Sequence, residues 1–306
     1  SLFPQLVAGP IVRYSDIESE ISNRKINLVD ISNGITRITI GLAKKVIIAN
    51  QLYPIVQSFF ASDVEYVSVV GTWYAVILYA LYVYFDFSGY SDMAIGMGYM
   101  LGFHFNENFN YPFICKDVTE FWQRWHISLG SFFRDYLLYL PVFGKRRPTL
   151  NLFLVWFSTG IWHGASWNFI IWGMYFAAWL ILEKFILREV LKKTPAFIKH
   201  FYSIIVVFVG WGIFAIEDLS LCGGYLATCF GNGSLWQPSD LYYLKSYAIT
   251  FILLIVSSTE LGKNTWARLP IRVQQILTPI LMGASLIIGT AYLVDGSFSP
   301  FLYFRF

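Results

Sequence analysis

Long stretches without Asp, Glu, Lys or Arg alternate with short charged segments along this chain of 306 residues. A bilayer core is about 30 Å thick, so a helix of about 20 apolar residues spans it. Five uncharged stretches predict membrane spans, at 46–62, 66–85, 201–216, 246–259 and 273–294, and we expect the fourth span to extend back past Lys245. The pattern therefore predicts an all-α, polytopic integral membrane helical bundle.

One further uncharged stretch is too long for a single span. It runs for 34 residues from Thr149 to Leu182, which as one straight helix would measure about 51 Å. We expect it to break at Gly160 or Gly164. Backbone groups freed inside hydrocarbon are tolerated only where protein or a water-filled cavity surrounds them. His163 lies at this break, and an ionisable residue at such a depth is a candidate for function.

Other patterns predict broken, re-entrant or interfacial helices. Asp117 with Glu120 predicts the start of one helix that continues to Tyr139. Helical spacing places five of its residues on one face, as in an amphipathic helix at the interface or beside a polar cavity: Trp122, Trp125, His126, Leu129 and Phe133. We also expect Asp86 to end a span before a short helix at 89–102, and Asp30 to cap a helix from Ile31.

Composition supports a membrane protein, since only 13% of the residues are charged and 56% are hydrophobic. Soluble domains carry about 25% charged residues. The net charge of +3 is modest, so no nucleic-acid partner is expected. Cys222 and Cys229 lie seven positions apart and are either a disulfide, if their loop faces an oxidising compartment, or two free thiols.

Basic residues predict the orientation, because they concentrate on the cytoplasmic side of membrane proteins. If successive spans alternate and 149–182 crosses out and back, 20 of the 22 Lys and Arg residues fall on one side. This assignment places His163 and the loop 217–240 towards the outside and His126 towards the cytoplasm.

His163 is the candidate general base, because a neutral imidazole can take a proton from a hydroxyl that attacks an acyl carbon. The alternative is a packed histidine bonded to a backbone carbonyl. His126 is the second candidate, and its alternative role is packing beside two tryptophans. No Cys or carboxylate lies at ligand spacing near either histidine, so no metal site is predicted.

Four charged residues close to the spans have two open interpretations. These residues are Asp86, Arg124, Arg134 and Asp135. They either form buried ion pairs or line a path for a polar substrate.

Three long motifs carry a resemblance to a known family, in the order YFDFSGYSDMAIGMGYMLGFHFNENFNYPF, TEFWQRWHISLGSFFRDYLLYLP and GIWHGASWNFIIWG. With FPQLVAGPIVRY near the start and PFLYFRF at the end, the chain closely resembles the membrane-bound O-acyltransferase family, in its alginate O-acetylation branch. The family's two hallmark histidines match His126 and His163, and the resemblance implies that the second is catalytic. The implied fold is a helical bundle in which a cytoplasmic and an outer funnel meet near that histidine.

The resemblance also implies an activity. The chain is expected to be a multi-pass protein of the bacterial inner membrane, among membrane lipids. It is expected to move an acetyl group from a cytoplasmic donor, acetyl-CoA, across the membrane for O-acetylation of an exported polysaccharide, without a bound cofactor. An extracytoplasmic acetyltransferase is the expected partner. D-alanyl transfer to a cell-wall polymer and a non-catalytic transporter remain the alternatives.

Residues 1–306 are expected to form a single acyltransferase domain. Members of the family carry further spans before the FPQLVAGP motif, which this sequence does not include. The chain by itself is therefore expected to be inactive or poorly folded.

Overall fold

The computed structural model of the protein describes residues 3–5, 9–60, 67–141 and 145–295. These residues form a helical membrane bundle with broken helices, which confirms the predicted fold class. The helices are α1 (Tyr14–Asn23), α2 (Leu28–Ala43), α3 (Asn50–Phe60), α4 (Val69–Met100), α5 (Val118–Arg124), α6 (Ile127–Phe133), α7 (Pro148–His163), α8 (Trp167–Leu182), α9 (Arg188–Lys193), α10 (Ala196–Ala215), α11 (Leu219–Cys229), α12 (Pro238–Ser246), α13 (Ala248–Ser257), α14 (Leu261–Arg268) and α15 (Ile271–Asp295).

Four helices among the described residues are long and apolar enough to cross a membrane. They are α4, α10, α15 and the continuous helix Trp167–Lys193, which joins α8 to α9 through a π-helical turn. The predictions for 201–216 and 273–294 are thus confirmed as helices α10 and α15.

The span predicted at 246–259, with its extension back past Lys245, is bent in the structure. Helices α12 and α13 meet there at an angle of 62° and count as a fifth span only if the bent pair is taken as one. Asp240 of α12 is buried and accepts a hydrogen bond from Ser68, the residue that caps α4. This bond fixes α12 beside the start of α4, and the bend leaves Lys245 exposed.

The longest helix, α4, corrects the prediction that Asp86 ends a span. The helix continues through Asp86 and the following glycines to Met100. It packs antiparallel against α2, with Gly34 facing Gly96 and Gly41 facing Gly89, where each carbonyl oxygen occupies the place of the partner's missing Cβ. Small residues on facing helices allow such close backbone approach in membranes. The glycines therefore serve helix packing and do not interrupt α4.

The start of α2 differs from the prediction by three residues. Asn27 caps the helix and accepts a hydrogen bond of 2.8 Å from the backbone N–H of Asp30. Asp30 is thus the third helical residue, where its negative charge favours the positive end of the helix dipole.

The uncharged stretch 149–182 breaks as predicted, into α7 and α8. The break lies at Gly164, whose φ of +154° and ψ of 172° belong to a region that only glycine adopts readily. Gly160 is not a break point, because it lies inside α7 with the carbonyl oxygen of Phe169 against its Cα.

The predicted helix 117–139 is interrupted at His126. Asp117 caps α5 as expected, accepting from the N–H of Glu120 at 2.6 Å. Trp125 is then extended, and His126 has a φ of +44°, so α6 begins only at Ile127. The pattern of apolar residues did not predict this interruption, because it does not indicate that His126 adopts a left-handed conformation.

Cys222 and Cys229 are free and buried in α11. Seven residues of helix separate them by about 10 Å along the axis, beyond the Cα separation of about 4.4–6.8 Å that a disulfide spans.

Candidate functional site

His163 is the last residue of α7 and is buried among aromatic rings. Its imidazole meets the rings of Trp172 and Phe214 edge to face, at centroid distances of 5.0 and 5.1 Å. The α7–α8 break creates this position, because Gly164 turns the chain so that Trp172 of α8 comes back beside His163. The ring therefore lies inside the bundle.

His126 occupies the break between α5 and α6 and is also buried. Its Nδ1 lies 3.1 Å from Oδ1 of Asn108, and its ring packs edge to face on Phe87 at 4.7 Å. A left-handed non-glycine residue costs about 1–3 kcal/mol and persists only where surrounding contacts determine it. Asn108 and Phe87 supply such contacts.

The two histidines line one apolar cavity of about 60 Å³, which we call the two-histidine cavity. The ring of Trp162 lies near both, with its centroid 6.0 Å from that of His126 and 5.0 Å from that of His163. The full lining is Trp122, Trp125, His126, Leu129, Gly130, Phe133, Val155, Trp156, Thr159, His163 and Trp172. One water needs about 10–15 Å³ on this measure, so the space suits a group of a few heavy atoms.

The structure brings together the two histidines that the sequence places on separate segments. Both side chains border the same cavity, and their placement towards opposite sides of the membrane stays a prediction. The five residues predicted to share a helical face all line it too, although the helix is broken between them. The break at His126 changes the path of the backbone without separating these side chains.

A larger groove of about 900 Å³ lies close to this cavity. Leu152 of α7 lines the groove, while Val155 and Trp156, one turn further along α7, line the two-histidine cavity. Four basic residues line the groove as well: Lys184, Arg188, Lys192 and Lys199.

The acidic residues of this groove are engaged by nearby donors. Glu183 accepts from the backbone N–H groups of Val118 and Thr119 at 2.8 and 3.0 Å, so it caps α5 from the end of α8. Burial acts to raise the pKa of Glu120, but the Lys116 N–H and the Arg124 guanidinium outweigh it and lower that pKa. The groove therefore presents basic side chains beside carboxylates that already have partners.

The four substrate-path candidates all take part in ion pairs. Asp86 is fully buried and pairs with Lys45, and Arg124 lies 2.8 Å from Glu120. Arg134 and Arg13 both contact Asp135, at 2.9 and 2.5 Å, and they lower its pKa with Arg134 as the larger cause. None of the four lines the two-histidine cavity, and a role in a substrate path stays a prediction.

Sequence reasoning missed Asn108, Phe214 and Trp172 as parts of the site. Asn108 lies in the segment NENFNYP, which indicates a loop, 18 positions before the histidine that it contacts. Phe214 comes from α10, and no periodicity links it to α7. Contacts between separate segments leave no local pattern by which to find them.

Comparison with known proteins identifies the family. The profile of the membrane-bound O-acyltransferase family matches residues 1–224. The chain is 36% identical over its whole length to the probable alginate O-acetylase AlgI of Azotobacter vinelandii and covers 68% of that protein. It is 34% identical, again over its whole length, to the probable alginate O-acetylase AlgI of Pseudomonas putida and covers 67% of that protein.

A peptidoglycan O-acetyltransferase of Helicobacter pylori is 41% identical over 57% of the chain and 34% of its own length. The chain spans about two thirds of the length of the two AlgI relatives. With its apolar helices and the whole-chain matches, the chain belongs to the membrane-bound O-acyltransferase family, in the branch of the alginate O-acetylases, and is a membrane O-acyltransferase.

Proposed function

We propose that this protein transfers an acetyl group from a cytoplasmic donor, acetyl-CoA, for the O-acetylation of an exported polysaccharide of the alginate type. The observation that carries the proposal is the two-histidine cavity, where two buried imidazoles border a space suited to a group of a few heavy atoms. The whole-chain similarity to probable alginate O-acetylases supports the choice of acyl group and acceptor.

His163 is the general base of this mechanism. Its neutral imidazole takes the proton of the acceptor hydroxyl as that oxygen attacks the acetyl carbonyl carbon. The carbon–sulfur bond of the thioester then breaks, and the imidazolium returns the proton to the thiolate. The products are an O-acetyl ester and free CoA thiol. His126, on the same cavity, assists as a second hydrogen-bonding group near the reacting acyl group.

The basic groove is the proposed site for the phosphates of the donor. Lys184, Arg188 and Lys199 line it, one helical turn from the cavity. Basic side chains favour phosphate oxygens through charge-assisted hydrogen bonds. A donor held there by its phosphates would direct its thioester end along α7 towards the two histidines.

The proposed setting is the bacterial inner membrane, which the chain crosses several times. The concentration of basic residues on one side of the predicted topology supports a cytoplasmic groove. An extracytoplasmic acetyltransferase is the proposed partner that passes the acetyl group to the polysaccharide.

The test uses membranes that contain the full-length protein and its partners, supplied with labelled acetyl-CoA. We expect label in the polysaccharide, and a fall in rate of about 10²–10⁴ for His163→Ala. His163→Gln should fail as well, because an amide forms hydrogen bonds but does not take up a proton at neutral pH. His104→Ala is the matched control, since His104 is half exposed and pairs with Glu20.

Three results would contradict the proposal. Near-normal transfer by His163→Gln would show that the histidine orients or gates and is not a base. Near-normal transfer by His163→Ala would favour the transporter alternative. Label from D-alanine in place of acetate would favour D-alanyl transfer.

A further inference from the structure

Asn108 is a buried polar residue that the mechanism above does not use. It lies in the loop between α4 and α5 with no exposed surface. Its Oδ1 accepts hydrogen bonds from the N–H and the hydroxyl of Ser128, at 3.2 and 2.8 Å, and lies 3.1 Å from His126 Nδ1. Its Nδ2 donates to Ser91 Oγ at 3.0 Å. Both ends of the amide are therefore engaged.

These partners determine which way the amide points. The oxygen and nitrogen of an Asn side chain are assigned from their hydrogen-bond partners. A backbone N–H can only donate, so the atom that faces the N–H of Ser128 must be the oxygen. The same oxygen faces His126, and it can only accept. The Ser128 hydroxyl lies farther from the ring nitrogen Nδ1, at 3.5 Å, and it already donates to this same oxygen at 2.8 Å. The contact of Nδ1 with the oxygen at 3.1 Å therefore indicates a hydrogen on Nδ1.

A neutral imidazole carries one hydrogen, and the other nitrogen is then the acceptor. We infer that Asn108 is a positioning residue that fixes the tautomer of His126, with the hydrogen on Nδ1 and the accepting lone pair on Nε2 at the two-histidine cavity. The inference rests on the proposed function, since it assigns His126 a part in the transfer.

Asn108 also holds the backbone at this point. Its carbonyl oxygen accepts from the N–H of Ile127, the first residue of α6, at 2.9 Å. Asn108 therefore holds the imidazole ring of His126 and also the backbone that directly follows this left-handed residue. In many functional sites, a residue that hydrogen-bonds to one ring nitrogen of a histidine sets the tautomer and the orientation of the ring.

The test measures the tautomer directly. The full-length protein, labelled with ¹⁵N in its histidines, is reconstituted in lipid and compared with His126→Ala to assign the ring signals by solid-state NMR. Wild type should show a protonated Nδ1 and an unprotonated Nε2. Asn108→Ala should lose this preference. Asn108→Asp should keep it, because a carboxylate oxygen still accepts from Nδ1.

Transfer measurements on the same samples test the role in the reaction. Asn108→Ala should lower kcat at least about tenfold with KM for the donor unchanged, because Asn108 does not line the basic groove. Asn108→Asp should restore much of the rate with a shifted pH profile, since it adds a charge beside the ring. Ser91→Ala is the matched control, because it removes the bond to Nδ2 and leaves the bond to His126 in place.

Each outcome decides the inference. An unchanged tautomer in Asn108→Ala overturns it, whatever happens to transfer. A changed tautomer with unchanged kcat overturns the positioning role. A wild type that lacks transfer but keeps the Nδ1–H tautomer contradicts the proposed function instead. If Asn108→Ala does not fold, loss of the tautomer in Asn108→Asp overturns the inference.

Discussion

Gly164 directly follows His163 and is the first of the three residues between α7 and α8, so its backbone angles set the direction in which the chain leaves the histidine. Its backbone angles belong to a region that other residues enter at a cost of about 1–3 kcal/mol. A Cβ there would also lie 2.9 and 3.0 Å from ring atoms of Phe169. The site thus depends on a residue that carries no chemistry itself.

We predict that Gly164→Ala lowers the free energy of unfolding by about 1–3 kcal/mol and reduces acetyl transfer, because both the turn and the ring of Phe169 must shift. Gly223→Ala is the matched control, since no atom lies within 4 Å of the added methyl group inside α11. Thermal unfolding in detergent and transfer rates in membranes measure the two effects. Equal stability and activity for the two variants would contradict the assigned role of the turn.

Asp86 pairs with Lys45 where both side chains are largely removed from water. We predict that Asp86→Ala lowers the free energy of unfolding by about 3–5 kcal/mol, because it leaves a buried ammonium group without its carboxylate. The double variant Lys45→Met with Asp86→Leu should recover most of this loss, since apolar pairs often replace buried ion pairs without cost. Thermal unfolding of the wild type, of Asp86→Ala and of the double variant measures the loss and the recovery of stability.

The same variants distinguish the two interpretations of Asp86, which are a structural ion pair and a place on the path of a polar substrate. A structural ion pair predicts that transfer recovers together with stability in the double variant. Recovered stability without recovered transfer would favour a place on the substrate path.

At the scale of the residue, the sequence could indicate His163 but not its surroundings. An uncharged stretch longer than a bilayer requires a break, and a histidine at that break stands out without any structure. Asn108, by contrast, has partners from α4 and from both sides of the α5–α6 break. Its role depends on the fold having already brought these segments together.

At the scale of the element, the pair α2 and α4 organises the first third of the chain. Glycines seven residues apart on each helix face one another across it, and ion pairs continue the same contact. Arg37 and Lys44 of this face bind Asp92 at 2.7 and 2.6 Å. Asp86, which the sequence suggested as a helix end, is compensated in the same way by Lys45, just after α2.

We predict that Gly41→Ala destabilises the protein by about 1–3 kcal/mol, because the added carbon overlaps the carbonyl oxygen of Gly89 and the helices must separate. Gly283→Ala in α15, where no atom lies within 4 Å, should be neutral or should stabilise its helix. Thermal unfolding of both variants measures the difference. Similar unfolding temperatures for the two variants would mean that α2 and α4 can move apart without loss of stability, which would contradict the prediction.

Helices were predictable from the sequence where an uncharged stretch is about as long as a bilayer is thick. Helices α10 and α15 follow their uncharged stretches closely. The predictions were wrong where a distant partner decides, as for Asp86 in α4, or where a local conformation breaks the helix, as at His126. Both cases depend on energies that the apolar pattern does not contain.

At the scale of the whole molecule, the positions of the basic residues predict which surface meets the cytoplasm. The basic groove with Lys184 and Lys192 should lie on that side, together with Lys145–Arg147, and Gly223–Gly233 should lie outside. The natural cysteines interfere little with labelling, because all three are buried. Burial also raises the pKa of the Cys115 thiol to about 11, which keeps it in the unreactive protonated form.

We predict that an impermeant maleimide added to spheroplasts labels Asn232→Cys but not Lys145→Cys or Lys193→Cys. All three positions are exposed in the structure, so access depends on the side of the membrane and not on packing. Permeabilised membranes should then label all three variants, and the protein without a substitution should stay unlabelled in both conditions. Labelling of the two lysine positions in intact spheroplasts would reverse the topology. The basic groove would then face outwards, where the proposed cytoplasmic donor could not reach it.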